Sequence, residues 1–325
     1  MDPGEQPVIS APPPDWNAIE SDVFCPLCDY NLRGLSEPRC PECGFRFDWP
    51  VVLDPTRRLH PYIFEHHPER NFRSFWQTAL AGWLPRRFWT ALHPAQPSRP
   101  RRLILYWCLA ASTVLLAYVA TFAAMTHLST KQQVVFRARA IAYVNAPQAA
   151  QWRAQVIRDY GSVSAFANTY YPDGYARNAL ILLESEGFFS AFFLPLICIL
   201  LWPWLNLASL LIFRISMRRA KIKTGHVLRC VVYCTDVIFW LGLVLLVLTP
   251  AHVLALQGIR WWLGFMTVSA VCCILLFAES TSYRLIAAYR LYLRFDHPAA
   301  TVLLSHLVAS LILLNIVAAC LILTH

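Results

Sequence analysis

The stretch LILYWCLAASTVLLAYVATFAAMT, residues 103–126, decides the class of this chain. It carries no charged side chain over 24 residues, and about 20 apolar residues suffice for a helix rising 1.5 Å per residue to cross a 30 Å hydrocarbon core. Four further runs are apolar and nearly uncharged: Phe188–Phe213, Cys230–Thr249, Trp261–Ala278 and Ala299–Leu323. With 57% hydrophobic and only 14% charged residues, the composition excludes an ordinary soluble domain. The expected fold is an all-α polytopic membrane protein of five transmembrane helices, carrying a small N-terminal four-cysteine zinc ribbon. Between the third and fourth runs, Pro250–Arg260 is so short that a re-entrant hairpin is the alternative to two full crossings.

Charge sets the orientation. Of the 28 Lys and Arg residues, 21 fall in the N-terminal region through Arg102, the Arg214–Arg229 loop and the Glu279–Pro298 loop. The other side holds 7, in Thr126–Gly187 and Pro250–Arg260. By the positive-inside rule the first side is cytoplasmic, and Arg99, Arg101 and Arg102 supply the signal next to the first span. The N-terminus is therefore expected in the cytoplasm and the C-terminus outside. The first hundred residues hold no apolar core behind a basic start, so no cleavable signal peptide is expected. The net charge of +9 is accounted for by anionic lipid head groups at the cytoplasmic face; nucleic acid is not an expected partner.

Ahead of the spans lies CPLCDYNLRGLSEPRCPECGFRF, residues 25–47. Two Cys-x-x-Cys turns, Cys25/Cys28 and Cys40/Cys43, are separated by eleven residues. Each turn brings two thiolates to one ion, and two turns close a tetrahedral site. Zinc is the expected metal, with iron the lesser option for the same ligands. A reducing cytoplasm keeps such thiols available for metal, which agrees with the charge-based orientation. A closed four-thiolate site has no open coordination position, so it staples a peptide with too little core to fold by itself. His60, His66, His67 and His93 lie nearby, but Glu65-His66-His67-Pro68-Glu69 lacks the helical spacing of a zinc protease and is broken by Pro68; no second metal site is expected.

The remaining organisation follows. Residues 1–20 read as a disordered, proline-rich start, 21–50 as the ribbon, 51–102 as a linker and amphipathic interfacial segment, and 103–325 as the membrane domain with an external insert at about 127–187. In the third block Phe72, Phe75, Trp76, Ala79, Leu80 and Trp83 recur at helical spacing, with Arg73 and Gln77 off the stripe. Pro85 then opens a second turn bearing Arg86, Arg87, Phe88 and Trp89. Aromatics beside arginines just before a span fit a helix lying at head-group depth; docking on the cytoplasmic ends of the bundle is the other reading. The external insert reads as one or two helices and a turn cluster, NTYYPDGYARN.

Polar residues inside spans mark candidate sites. Asp236 is the most conspicuous, expected either to pair with Arg229 or Arg218 or to carry a proton or cation. Asn206, His306 and Asn315 are candidates for interhelical hydrogen bonds, and Pro195 and Pro203 for a kink in the second span. Cys108, Cys198, Cys230, Cys234, Cys272, Cys273 and Cys320 read as small buried hydrophobes.

The pairing of CPLCDYNLRGL with CPECGFRF, followed by LPRRFW and RPRRLILYW before the first span, resembles a group of uncharacterised bacterial membrane proteins with an N-terminal zinc ribbon. With KIKTGHVLRCVVYCTD entering the third span, the membrane part loosely resembles the five-helix Yip family, although the large external insert departs from that compact bundle. The resemblance implies a bacterial inner-membrane location and does not transfer the GTPase-binding role of the eukaryotic Yip proteins. No catalytic constellation is present, so the expected function is a non-enzymatic interaction or membrane-organisation role, with lipid and a protein at the cytoplasmic ribbon as partners. A transporter or channel using Asp236, Asn206 and His306 is the alternative.

Overall fold

The computed structural model describes residues 12–172, 174–184, 192–212, 222–255 and 259–324. Apart from isolated bridges in the N-terminal module, the regular secondary structure among the described residues is helical. After α1 (Trp49–Leu53), α2 (Asn71–Ala81) and α3 (Pro85–Ala91) come the long α4 (Pro100–Asn145), the short α5 (Ala150–Tyr160), α6 (Val163–Tyr170) and α7 (Tyr175–Glu184), then α8 (Leu194–Ile212), α9 (Thr224–Cys234), α10 (Val237–Ala255), α11 (Ile259–Leu291) and α12 (Pro298–Thr324). Proline opens α3, α4 and α12, where its fixed φ suits the first turn and its missing N–H has no helical partner to lose.

Four helical stretches are long and apolar enough to cross a membrane: Pro100–Asn145, Thr224–Pro250, Val271–Leu291 and Pro298–Ile316. Leu194–Leu210 is a shorter apolar helix in the position of the expected second span. Leucines along α12, Leu303, Leu304, Leu307, Leu311 and Leu314, are exposed, as befits a face that meets hydrocarbon rather than water. The linkage between the third and fourth runs, residues 256–258, lies outside the described residues, as does Arg218.

Two boundaries differ from the sequence expectation. The first span does not end at Thr126: α4 continues for 46 residues, through the start of the external insert, because no Gly or Pro occurs between Arg101 and Ala146 to stop it. Pro147 then ends it. The third span begins earlier, at Thr224, and is interrupted at Thr235–Asp236. The Thr235 hydroxyl donates back to the Val231 carbonyl at 2.8 Å, and such back-bonding bends a helix.

The chain divides into two compact units. One comprises Met1–Ala111, Leu200–Phe239 and Phe277–His325; the other comprises Ser112–Ile199 and Trp240–Leu276. In the second, Gly242 on α10 lies against Thr113 and Val114 on α4, and Thr121 meets Thr249 at 3.0 Å between hydroxyls. Contact positions increase together along both helices, so α4 and α10 run parallel. In the same unit Gly161, at φ 77°, ends α5 in the left-handed cap that glycine favours. Ser162 then caps α6 by accepting from the Ala165 amide at 3.0 Å.

Within the first unit the pre-span segment packs on aromatic residues of α4, α9 and α10. Phe75 lies 5.1 Å from Tyr106 and 5.2 Å from Phe239 between ring centroids, and Phe88 lies 5.5 Å from Tyr233. The opposite face of the segment presents Phe72, 80% exposed, with Leu80, Trp83 and Leu84. One face of α2 and α3 thus docks on span ends while the other remains apolar and open.

Candidate metal centre

The two cysteine turns fold as copies of one another. The Cys25 amide donates to the Tyr30 carbonyl and the Cys40 amide to the Phe45 carbonyl, at 2.7 and 2.9 Å; Asp29 N bonds Cys25 O at 3.0 Å as Gly44 N bonds Cys40 O at 2.9 Å. Both Asp29 (φ 63°) and Gly44 (φ 71°) are left-handed, the conformation that returns each chain over its sulfurs. Around them Val23, Leu27, Leu32, Phe47, Trp49 and Val52 form a small core. Trp16, from the proline-rich start, joins it edge-on to Trp49 with ring centroids 5.2 Å apart and donates its indole N–H to Leu35 O at 3.1 Å.

Cys25, Cys28, Cys40 and Cys43 offer sulfurs that all lie within 4.8 Å of one another. Cys25 and Cys43 sulfurs are 3.7 Å apart, and those of Cys28 and Cys40 are 3.5 Å apart. A tetrahedron with metal–sulfur bonds of about 2.3 Å has edges of roughly 3.8 Å, so the four sulfurs fit a zinc ion. Burial pushes the Cys25 thiol up to about 12 and raises that of Cys43 as well; a bound cation supplies the positive charge that four thiolates need in this environment. Among the described residues this is the one His/Cys/Asp/Glu cluster arranged to hold a metal.

The knuckles differ in their surroundings. Pro26 and Leu27 of the first are buried, whereas Pro41 and Glu42 of the second are exposed. What covers the first is the start of α9. The Lys223 amide donates to Leu27 O at 3.2 Å, Lys223 Nζ pairs with Asp29 at 2.6 Å, and His226 Nε2 bonds Pro26 O at 2.9 Å. Beside this junction is a cavity of about 1010 Å³, bordered by Asp22, Asp29, Arg58, Gln96 and Lys223.

Of the expectations for Asp236, the pairing with Arg229 is not made, and Arg218 lies outside the described residues. Arg229 instead meets Glu65, Nε to Oε2 at 2.9 Å, with both side chains wholly buried. Its remaining nitrogens donate to Gln96 O, Pro97 O and Tyr292 Oη at 3.2, 2.6 and 2.8 Å. Asp236 pairs with Arg284 of α11 and accepts from the Tyr106 hydroxyl at 2.9 Å. Arg229 and Asp236 are seven positions apart, about two turns or roughly 10 Å along a helix axis, and each meets a partner from another element. Gly82 permits this arrangement, since a Cβ there would stand 2.9 Å from Asp236 Oδ2.

The other intramembrane candidates occupy different partner sets. Asn206 accepts from Ser305 at 3.1 Å, in a cluster with Ser209. His306, the next residue of α12, bonds Ser282 at 3.1 Å and stacks edgewise on Trp202 with ring centroids 5.2 Å apart. Asn315 is exposed and donates to Leu311 O of its own helix at 2.7 Å. Pro195 sits in the first turn of α8 and Pro203 in its interior. Of the span cysteines, Cys230 and Cys234 are buried, Cys198 and Cys273 partly so, but Cys108 and Cys272 are exposed, because apolar faces in hydrocarbon need no protein cover; the side chain of Cys320 lies outside the described residues.

The histidines near the ribbon serve packing. His66 Nδ1 accepts from the His60 amide at 2.8 Å, so Nε2 carries the proton it donates to Pro97 O at 3.0 Å. Burial lowers the pKa of both His66 and His60 to about 4; at His66 the Pro97 carbonyl opposes the shift while Arg229, His60 and Arg99 add to it. A folded pKa below the unfolded value of about 6.5 means stability present above pH 6.5 and lost as pH falls toward 4. Thermal unfolding in detergent is therefore expected to weaken across that window by up to roughly 3 kcal/mol per histidine. His66→Gln should flatten the slope, and an unchanged slope would refute the assignment.

Comparison with protein-family models, curated proteins and solved structures gives no match to this chain. What the geometry itself establishes is a membrane protein with several long apolar helices and an N-terminal four-cysteine module able to hold a metal ion.

Proposed function

We propose that this chain is a non-enzymatic interaction or membrane-organising protein of five spans, with a zinc-stapled N-terminal module on the cytoplasmic face of a bacterial inner membrane. The observation that carries this reading is the closed four-sulfur cluster, which offers a metal a structural seat with no vacant protein-side position for chemistry. Zinc, when bound, supplies the charge and cross-link that hold the knuckles together. The asymmetry of the knuckles supports a division of labour: the first is spent on the chain's own α9, and the second, with Pro41 and Glu42 exposed, faces a partner.

The test compares proteins crosslinked to the tagged full-length chain with those crosslinked to Cys25→Ser/Cys28→Ser at matched membrane levels. Partners lost in the variant are expected; an unchanged set would reject the interaction role for the module. A transport reading draws on the interrupted third span with buried Asp236 at the break. Under the proposal given first, Asp236→Asn leaves solute and ion flux in vesicles unchanged, and an altered flux would favour transport instead.

A further inference from the structure

We propose that His226, which is not a metal ligand, is a positioning residue that couples metal occupancy of the four-cysteine centre to the seating of the third span. The proposal rests on the metal reading above and goes beyond it by joining the centre to the membrane helices.

The hydrogen-bond chain can be assigned proton by proton. The Pro26 carbonyl, between Cys25 and Cys28, has nothing to donate, so His226 Nε2–H donates to it at 2.9 Å. At the other end Arg229 Nη1 donates to the Tyr292 oxygen at 2.8 Å. That directs the Tyr292 hydroxyl proton to His226 Nδ1, 2.7 Å away. Arg229 is in turn fixed by Glu65, whose other oxygen accepts from the Arg99 amide at the entry to α4. A directed series of bonds therefore runs from a buried ion pair through one tyrosine and one histidine to the backbone of a metal knuckle.

His226 and Arg229 are three residues apart and share a face of α9. The same helix start holds the knuckle through Leu27 O and Asp29, and Ile222 packs into the ribbon core. A bound metal fixes the positions of the knuckle carbonyls; without it the Cys25–Cys28 turn is free to relax and the acceptor for His226 is no longer held. Linkage makes the effect reciprocal: whatever seats α9 against the knuckle tightens metal binding by the same factor that metal favours the seated state.

The experiment uses the zinc-loaded full-length protein in detergent and has two readouts: zinc affinity by chelator competition, and thiol labelling at Cys230 and Cys234 by mass spectrometry before and after zinc removal. Both cysteines are buried in α9 and report its seating. His226→Ala is expected to weaken zinc binding about tenfold or more, the usual effect of losing a partner just outside the ligands. Tyr292→Phe should shift it less in the same direction, and His226→Gln, whose amide can donate to Pro26 O and accept from Tyr292, should retain most of the affinity. Zinc removal should raise labelling at Cys230 and Cys234. Unchanged affinity in His226→Ala and Tyr292→Phe, or equal labelling with and without zinc, overturns the coupling alone; a wild-type protein that binds no metal overturns the metal reading and the coupling with it. If His226→Ala does not fold, Tyr292→Phe and the wild-type labelling decide the question.

Discussion

Arg229→Met is expected to destabilise the folded protein by about 3–5 kcal/mol, because it leaves the Glu65 carboxylate buried without its cation. The pair is wholly enclosed, and water cannot replace the lost guanidinium. The same change removes the Arg229 donor to the Gln96 carbonyl, leaves the Pro97 carbonyl with His66 alone, and strips the Tyr292 oxygen of its charged partner. Adding Glu65→Gln should restore part of the loss, since removing both charges avoids the uncompensated one. Unfolding of the four proteins of this cycle in detergent, followed by a thiol-reactive dye, gives the coupling energy. A loss below about 1 kcal/mol in Arg229→Met would mean that the pair is solvated in the native state, contrary to its burial.

Gly242→Val should be nearly as damaging. A Cβ at this position would stand 2.6 Å from the Val114 amide nitrogen and 2.7 Å from the Thr113 carbonyl carbon, and closer still to the Thr113 hydroxyl. Two of those neighbours are backbone atoms in the middle of α4 and have no rotamer to escape into. The helices would have to separate, losing the Thr121–Thr249 contact and the close packing that small residues allow in membranes. A cost of about 3 kcal/mol or more is expected, with Gly242→Ala already harmful because the clash begins at Cβ. Unfolding midpoints and the detergent-extractable folded fraction measure it; wild-type stability in Gly242→Val would show that the crossing is looser than described.

What could be read from the sequence was what depends on neighbours along the chain. The four cysteines of the ribbon lie within nineteen positions of one another, and the apolar runs declare themselves by length. The long-range partners were not readable in the same way. Glu65 and Arg229 are separated by 164 positions, and neither residue type indicates which of several charges it will meet; EHHPE drew notice for the metal motif it fails to make. His226 carried a faint signal, one helical turn before Arg229 on the same face, but nothing local joins it to Pro26, 200 positions away. The extent of α4 was a different matter. The absence of Gly and Pro up to Ala146 was visible, but falling hydropathy after Thr126 suggested a boundary where helix propensity saw none, and propensity prevailed.

That long helix sets a distance scale. At 1.5 Å per residue, the 46 residues of α4 extend for about 69 Å, whereas a bilayer with its head groups is about 40–45 Å thick. Crossing upright from Pro100, α4 would carry its last turns roughly 25 Å into solution. The Debye length at physiological ionic strength is about 8 Å, so in an upright crossing the end that leads into α5 and α6 would lie some three screening lengths from the lipid charge. At that distance a partner meeting Trp152, Tyr160 and Phe166 would be selected by contact, with little steering from the lipid charge.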